Sequence, residues 1–126
     1  MGRPVHFEIH GSDPEALVAF YSTVFGWTFN RWGEEPYWLA STGEGPGIDG
    51  AVLPRRSDPP AADAPVNGMV VTVDVTDLES TLAAAYANGG SEALPRMAVP
   101  GVGWLAYIHD PDRNVVGVLQ ADESAA

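Results

Sequence analysis

The sequence predicts an α+β fold built from two βαβββ modules. Three observations carry this. A strand followed by a capped amphipathic helix occurs twice, at residues 5–27 and again at 68–90. Three further strand-like runs follow each helix. The halves are also related by a nearly constant offset. The helix caps Asp13 and Asp77 lie 64 residues apart, and the same offset takes His6 to Val70 and Glu8 to Thr72. Trp38 and Trp104 match at 66, Gly50 and Gly117 at 67. A repeat of this size is two copies of one supersecondary unit.

In module one (residues 4–53), alternation over 5–10 marks a half-buried strand. Phe7 and Ile9 point one way, His6, Glu8 and His10 the other. Asp13 is a good N-cap and Pro14 suits the first helical position, where its missing N–H costs nothing. Leu17, Phe20, Tyr21 and Val24 form one apolar stripe, and Gly26 stops the helix near residue 25. Strands follow at 28–31, 37–41 and 48–53, separated by a turn at 33–36 and a glycine-rich loop at 42–47. Residues 54–67 carry several prolines and alanines without apolar period, which reads as a linker.

Module two (68–121) opens with a strand at 68–75. Asp77 caps a helix near 78–88, with Leu78, Leu82 and Ala85 as its stripe and Gly89-Gly90 as its stop. Pro95 makes the strand at 91–97 an edge. A turn at 100–103, a strand at 104–109, a turn at 110–114 and a last strand at 115–120 complete the copy. Residues 121–126 read as a frayed tail.

The chain has 126 residues, one domain by length, and a formal charge of −11. That charge argues against nucleic acid and anionic membranes as partners. It suits a cationic ligand, or simply solubility. There is no cysteine, so thiolate chemistry and disulfides are excluded. No apolar run approaches the roughly 20 residues of a membrane span, and residues 1–9 lack the apolar core of a signal peptide. A cytoplasmic protein is the expectation. The glycines of 43–50 open no helix, so no phosphate loop or dinucleotide fingerprint is present.

Three segments then carry a resemblance: HFEI with DPEALVAFYSTVFGW, VDVTDLESTLAAAYANGG, and PGVGWLAYIHDPDRNVVGVLQ. Over almost the whole chain the sequence resembles the vicinal oxygen chelate superfamily, which holds glyoxalase I, extradiol dioxygenases and bleomycin-resistance proteins. The resemblance implies that the modules' strands curve into a half-open mixed-sheet barrel around a cavity. It also implies metal ligands on the first and last strand of each module, here His6, Gly50, Val70 and Gly117. Only His6 can bind a metal. One imidazole does not hold a divalent ion against water, so neither a metal nor another cofactor is expected. A displaced site at His6 and Glu8, with His10 or His109, is the alternative. It would serve a metal-dependent lyase or dioxygenase.

Strand parity places His6, Glu8, Val70 and Thr72 in the expected cavity, with Ile48, Val52, Val115 and Leu119 beside Gly50 and Gly117. Trp38, Trp104, Tyr37 and Tyr107 edge it. This is the make-up of a small-molecule site. Plainer readings exist: core packing for the tryptophans, close strand approach for the glycines. His6 and Glu8, roughly 6.5–7 Å apart along a strand, also permit acid–base work without metal. The expected function is metal-free binding of a small, partly aromatic ligand, as in the resistance proteins. A third reading is an accessory domain that acts through its surface. Open sheet edges predict a homodimer.

Overall fold

A computed structural model of the chain describes residues 4–126. It divides into two compact units that meet at the Pro59–Pro60 bond. Each is a βαβββ module, as the repeat predicts. No helix among the described residues is long and apolar enough to cross a membrane.

The first unit contains β1 (His6–Gly11), α1 (Pro14–Phe25), β2 (Thr28–Arg31), β3 (Trp38–Ser41) and β4 (Asp49–Pro54). Its sheet has the order β1-β4-β3-β2. β1 runs parallel to β4, and the other pairs are antiparallel. The Asp13 carboxylate accepts the Ala16 amide at 3.3 Å, and Gly26 takes the left-handed conformation (φ 74°) that ends α1. Leu17, Phe20 and Tyr21 are each about fully buried, worth roughly 1.5–3 kcal/mol apiece. Tyr21 stacks on Trp27 at 5.1 Å, and Trp27 reaches Phe7 at 5.5 Å. This aromatic run identifies the Phe7–Ile9 side of the sheet as the helix side. The other side is open within the module.

The second unit contains β5 (Val71–Asp74), α2 (Leu78–Ala87), β6 (Ser91–Val99), β7 (Gly103–His109) and β8 (Val115–Ala121), with sheet order β5-β8-β7-β6. Asp77 caps α2 through the Ser80 amide. Gln120 adds a second tie, since its Oε1 accepts the Leu78 amide at 2.8 Å. That satisfies one of the donors a helix start leaves open. The buried Asp110 carboxylate organises the closing hairpin by accepting the Asp112 and Asn114 amides. β6 is an edge, and its register with β7 shifts on both sides of Leu94, next to Pro95. A proline cannot donate to the ladder, so the irregularity falls where the chemistry requires it.

Two expectations fail here. The strand expected at 68–75 is only Val71–Asp74, so Val70 precedes it and is exposed. Its neighbours Gly68 and Met69 make no ladder, and Met69 is 99% exposed. The tail is not frayed. β8 runs to Ala121, the Asp122 amide donates to the Val102 carbonyl, and the Ala125 carbonyl accepts from Gly101. Asp122 also takes the Trp104 indole N–H at 3.1 Å and the Ser124 hydroxyl at 2.6 Å. The Ser124 hydroxyl and amide, then the indole, hold its carboxyl below the usual range.

Candidate functional site

Residues paired across neighbouring strands share a face. In module one, His6 pairs with Asp49, Glu8 with Ala51 and His10 with Leu53, while Leu39 pairs with Ala51. These form the open face. Phe7 pairs with Gly50, Ile9 with Val52, and Val52 with Trp38. These lie on the helix side. Gly50, Val52 and Trp38 therefore sit on the face opposite His6, against the expectation that all would share it. Ile48, half-buried, precedes β4, and its carbonyl accepts the Thr42 hydroxyl.

The cause is a one-residue slip in the repeat. Glu8 and Thr72 are equivalent first-strand positions. Glu8 stands opposite Ala51, and Thr72 opposite Gly117. The true counterpart of Gly117 is Ala51, at an offset of 66, and not Gly50. A shift of one residue moves a side chain to the other face.

The glycines are not openings either. A Cβ at Gly50 would come within 2.5 Å of the Phe7 carbonyl oxygen and ring. A Cβ at Gly117 would come within 2.6 Å of Thr72 Oγ1 and 3.2 Å of the Tyr107 ring. Both are sites of close approach, the plainer reading.

The open face of module one carries a hydrogen-bonded chain. The Tyr37 hydroxyl donates to Glu8 Oε2 at 3.2 Å. His6 Nε2 lies 3.2 Å from the same hydroxyl. The phenol's only proton goes to Glu8, so His6 must be the donor. His10 Nε2 reaches Glu8 Oε1 at 3.2 Å. Glu8 thus accepts from both sides, and its carboxyl is held below its ordinary value of 4.5. The His10 bond is the largest cause, opposed by partial desolvation and helped by Tyr37 and both imidazoles. The Tyr37 phenol is raised above 10.0 by desolvation, then by the bond to Glu8 and its charge.

Tyr37 also forms part of a pocket of about 600 Å³ with Trp32, Glu35, Pro36, Leu39, Leu53, Pro54, Arg55 and Arg56. The sequence offered Tyr37 only as an edge residue and missed the rest. Alternation around Leu39 and Leu53 was the available signal; Trp32 and the arginines belong to connecting segments with no period to read.

In module two, Thr72, Gly117 and Tyr107 share the open face with Leu105, Leu119, His109 and Val115. Trp104 pairs with Gln120, whose amide caps α2, so it lies on the helix side. Arg96 stacks over it at 4.3 Å and bonds Glu79 of α2. Arg31 stacks over Trp38 at 5.2 Å in the same way. Both tryptophans are therefore cation–π partners on helix-side faces. Of the sequence-derived site residues, His6 and Glu8 come together in one module, and Thr72, Tyr107 and Gly117 in the other.

A family model described as the Glyoxalase/Bleomycin resistance protein/Dioxygenase superfamily matches residues 3–118. The chain belongs to this superfamily. Among superfamily structures, an enzyme from Burkholderia phytofirmans superposes with a TM-score of 0.74 at 18% identity, covering 93% of this chain and 97% of that one. A fosfomycin resistance protein from Listeria monocytogenes, complexed with Mn(II) and 1S,2S-dihydroxypropylphosphonic acid, gives 0.73 at 13% identity, covering 97% and 92%. These likenesses show the fold. In sequence, a glyoxylase-like domain-containing protein of Didymella fabae is 29% identical over 119 residues, covering 90% of this chain and 89% of that protein. The protein CFP32 of Mycobacterium tuberculosis is 26% identical over 125 residues, 96% of this chain but 46% of that protein. The chain thus spans about half the length of the first curated relatives it matches.

Superfamily membership implies a metal position, and the donor set here does not fit one. Ala51 and Gly117, opposite Glu8 and Thr72, offer no ligand atom. Among the described residues no three His, Asp or Glu side chains gather with metal-binding geometry. Asp49, opposite His6, already accepts the Thr42 amide and hydroxyl through Oδ1, and Glu8 accepts from Tyr37 and His10, so the His6 imidazole, bonded to a phenol, is joined by no uncommitted carboxylate.

Proposed function

We propose that this superfamily domain binds a small, partly aromatic molecule without a metal, at the open face of module one. The observation that carries this is the pocket beside Tyr37. Its volume falls within the roughly 300–1,000 Å³ of small-molecule sites. Its wall joins an indole, a phenol and two leucines to a few polar groups, the usual composition of such sites. The chain from His6 through Tyr37 and Glu8 to His10 fixes the phenol that forms one wall. It orients a ligand's hydrogen bond and needs no ion to do so.

Elemental analysis after dialysis tests the metal claim. We expect no stoichiometric zinc, nickel, manganese or iron. One equivalent of any of these, lost on His6→Ala, would overturn the reading. A melting shift tests binding, because a ligand that takes only the folded form at 100 times its Kd stabilises by about 2.7 kcal/mol.

The same reading includes a homodimer. β5 is a sheet edge, and Met69, Val70 and Val71 beside it are exposed apolar residues. Such an edge is open to cover by a symmetric partner. Sedimentation at micromolar concentration should show twice the 13.3 kDa chain mass; a monomer there removes this part.

A further inference from the structure

We infer that Asn67-Gly68 is a self-modifying site, where the asparagine loses ammonia through a cyclic imide to give aspartate and isoaspartate. The site lies apart from the pocket, and its chemistry does not rest on the reading above.

The sequence supplies the first argument. The chain has four asparagines, and two of them, Asn67 and Asn88, precede glycine. Glycine has no Cβ to obstruct its own nitrogen, and its backbone reaches conformations closed to other residues. Asn30 and Asn114 precede Arg31 and Val115, whose side chains stand in the way. In the step, the Gly68 nitrogen gives up its proton and attacks the Asn67 carboxamide carbon. A C–N bond forms, the bond to the side-chain nitrogen breaks, and ammonia leaves with that proton. Water then adds to either carbonyl of the ring and opens it, and the ring nitrogen takes a proton back. Water is consumed, ammonia is released and nothing is oxidised.

The structure separates the two candidates. Both asparagines and both glycines are exposed, so access to water does not distinguish them. Hydrogen bonding does. At the end of α2, Asn88 Nδ2 donates to the Ala84 carbonyl at 2.7 Å. The Asn88 and Gly90 amides both donate to the Ala85 carbonyl, at 3.1 and 2.8 Å, which pins the chain on either side of Gly89. Ring closure there must break the side-chain bond and reshape the end of the helix. Among the described residues no hydrogen bond reaches the Asn67 side chain or the Gly68 amide. Nothing stands within 4 Å of the position a Gly68 Cβ would take, whereas Pro111 comes within 3.4 Å at Gly89.

The fold also tolerates the product at 67. Isoaspartate carries the chain through its side-chain carbon and so lengthens the backbone by a methylene. Residues 67–70 precede β5 and pair with no strand, so the added length breaks no ladder. Either product sets a carboxylate just before Met69, Val70 and Val71, the exposed apolar residues of the β5 edge. Charge beside an edge strand opposes its pairing with another chain. This consequence rests on the dimer reading above: the modified chain pairs less readily.

The test holds the purified protein in mildly alkaline buffer and follows it by peptide mass mapping, with methyl transfer by a protein isoaspartyl methyltransferase as the second readout. We expect product at 67 to form about tenfold faster than at 88, where at least one hydrogen bond must open first. In urea the two rates should converge; a gap that persists there would overturn the structural argument. Asn67→Gln, at an exposed position, should remove the faster product and leave the melting temperature unchanged. No product at 67, or equal rates at 67 and 88 in the folded protein, would overturn the inference. Sedimentation of aged wild type beside aged Asn67→Gln tests the consequence, and the wild type should be the more dissociated. Equal dimer in both would overturn the effect on the edge. Monomers in fresh and aged protein alike would overturn it by removing the dimer itself, and the modification would stand on its mass shift.

Discussion

The two modules share a topology and differ in their open faces. On the helix sides they use the same devices, although the tryptophans are not equivalent, since Trp38 stands opposite Val52 and Trp104 opposite Gln120, two residues further along the last strand than the counterpart of Val52. Each helix begins at an Asp cap, and each sheet lays an arginine over a tryptophan. On the open sides they diverge. Module one presents two imidazoles, a carboxylate and a phenol in one hydrogen-bonded chain. Module two presents Thr72 against the bare Cα of Gly117, with Tyr107 packed on it. The helix side holds each module together and tolerates little change. The open side is where one copy can acquire a task that the other lacks.

The largest expected effect comes from filling Gly50, and the contrast is with Gly117. At Gly50 the obstacles are the Phe7 ring and the Phe7 backbone oxygen, and the oxygen cannot yield without moving β1. Overpacking of this kind costs about 3 kcal/mol, so Gly50→Ala should lower the urea midpoint severely. At Gly117 the nearest obstacle is the Thr72 hydroxyl, which can rotate away. Gly117→Ala should cost only about 1 kcal/mol. Equal losses would mean that the two sheets are packed alike at these strands.

The next contrast is between two tryptophans. Trp104 is half-buried, stacked under Arg96 and bonded to Asp122. Trp104→Ala should destabilise the protein by about 2–3 kcal/mol and leave affinity for an aromatic ligand unchanged. Trp32 is 61% exposed and lines the pocket. Trp32→Ala should leave the melting temperature nearly unchanged and weaken ligand binding about tenfold, or about 1.4 kcal/mol. The reverse pattern would move the site to module two.

Much of this was legible in the sequence, and the gaps have physical causes. Both helices were readable because a cap, an apolar stripe and a stop coincide at each. The closing hairpin was readable from its Asp-Pro and Asn. The face of β4 was not. Asp49-Gly50-Ala51 has no apolar alternation, so the repeat alone set its parity, and a one-residue slip inverted it. Trp38 and Trp104 misled because an indole suits a core and a pocket equally. Ala121 to Ala126 looked like a tail because nothing local shows that Asp122 and Ala125 bond back to 101–104. The pocket escaped because it joins residues 32–39 to 53–56, and neither segment alone marks a site.

The smallest effect tests the chain that sets module one apart. Glu8 is depressed in the folded state, so its contribution is present above its ordinary 4.5 and is lost as pH falls through its lower folded value. The side chain is 42% exposed, as is its partner His10 at 43%. Pairs this wet are worth less than about 1 kcal/mol, so Glu8→Gln should barely move the melting temperature at neutral pH. Its effect belongs to Tyr37. The phenol is raised above 10.0 partly because it donates to a carboxylate, and ionising it would set two negative charges together. Glu8→Gln removes that charge while keeping an acceptor. The tyrosine absorbance titration should then shift its Tyr37 component downward, toward 10.0, with desolvation still holding it somewhat above. Tyr37→Phe should delete that component altogether and free His6 of its partner. A tyrosine titration unchanged by Glu8→Gln would show that the two side chains do not meet in solution, and the open faces of the modules would then differ in composition but not in organisation.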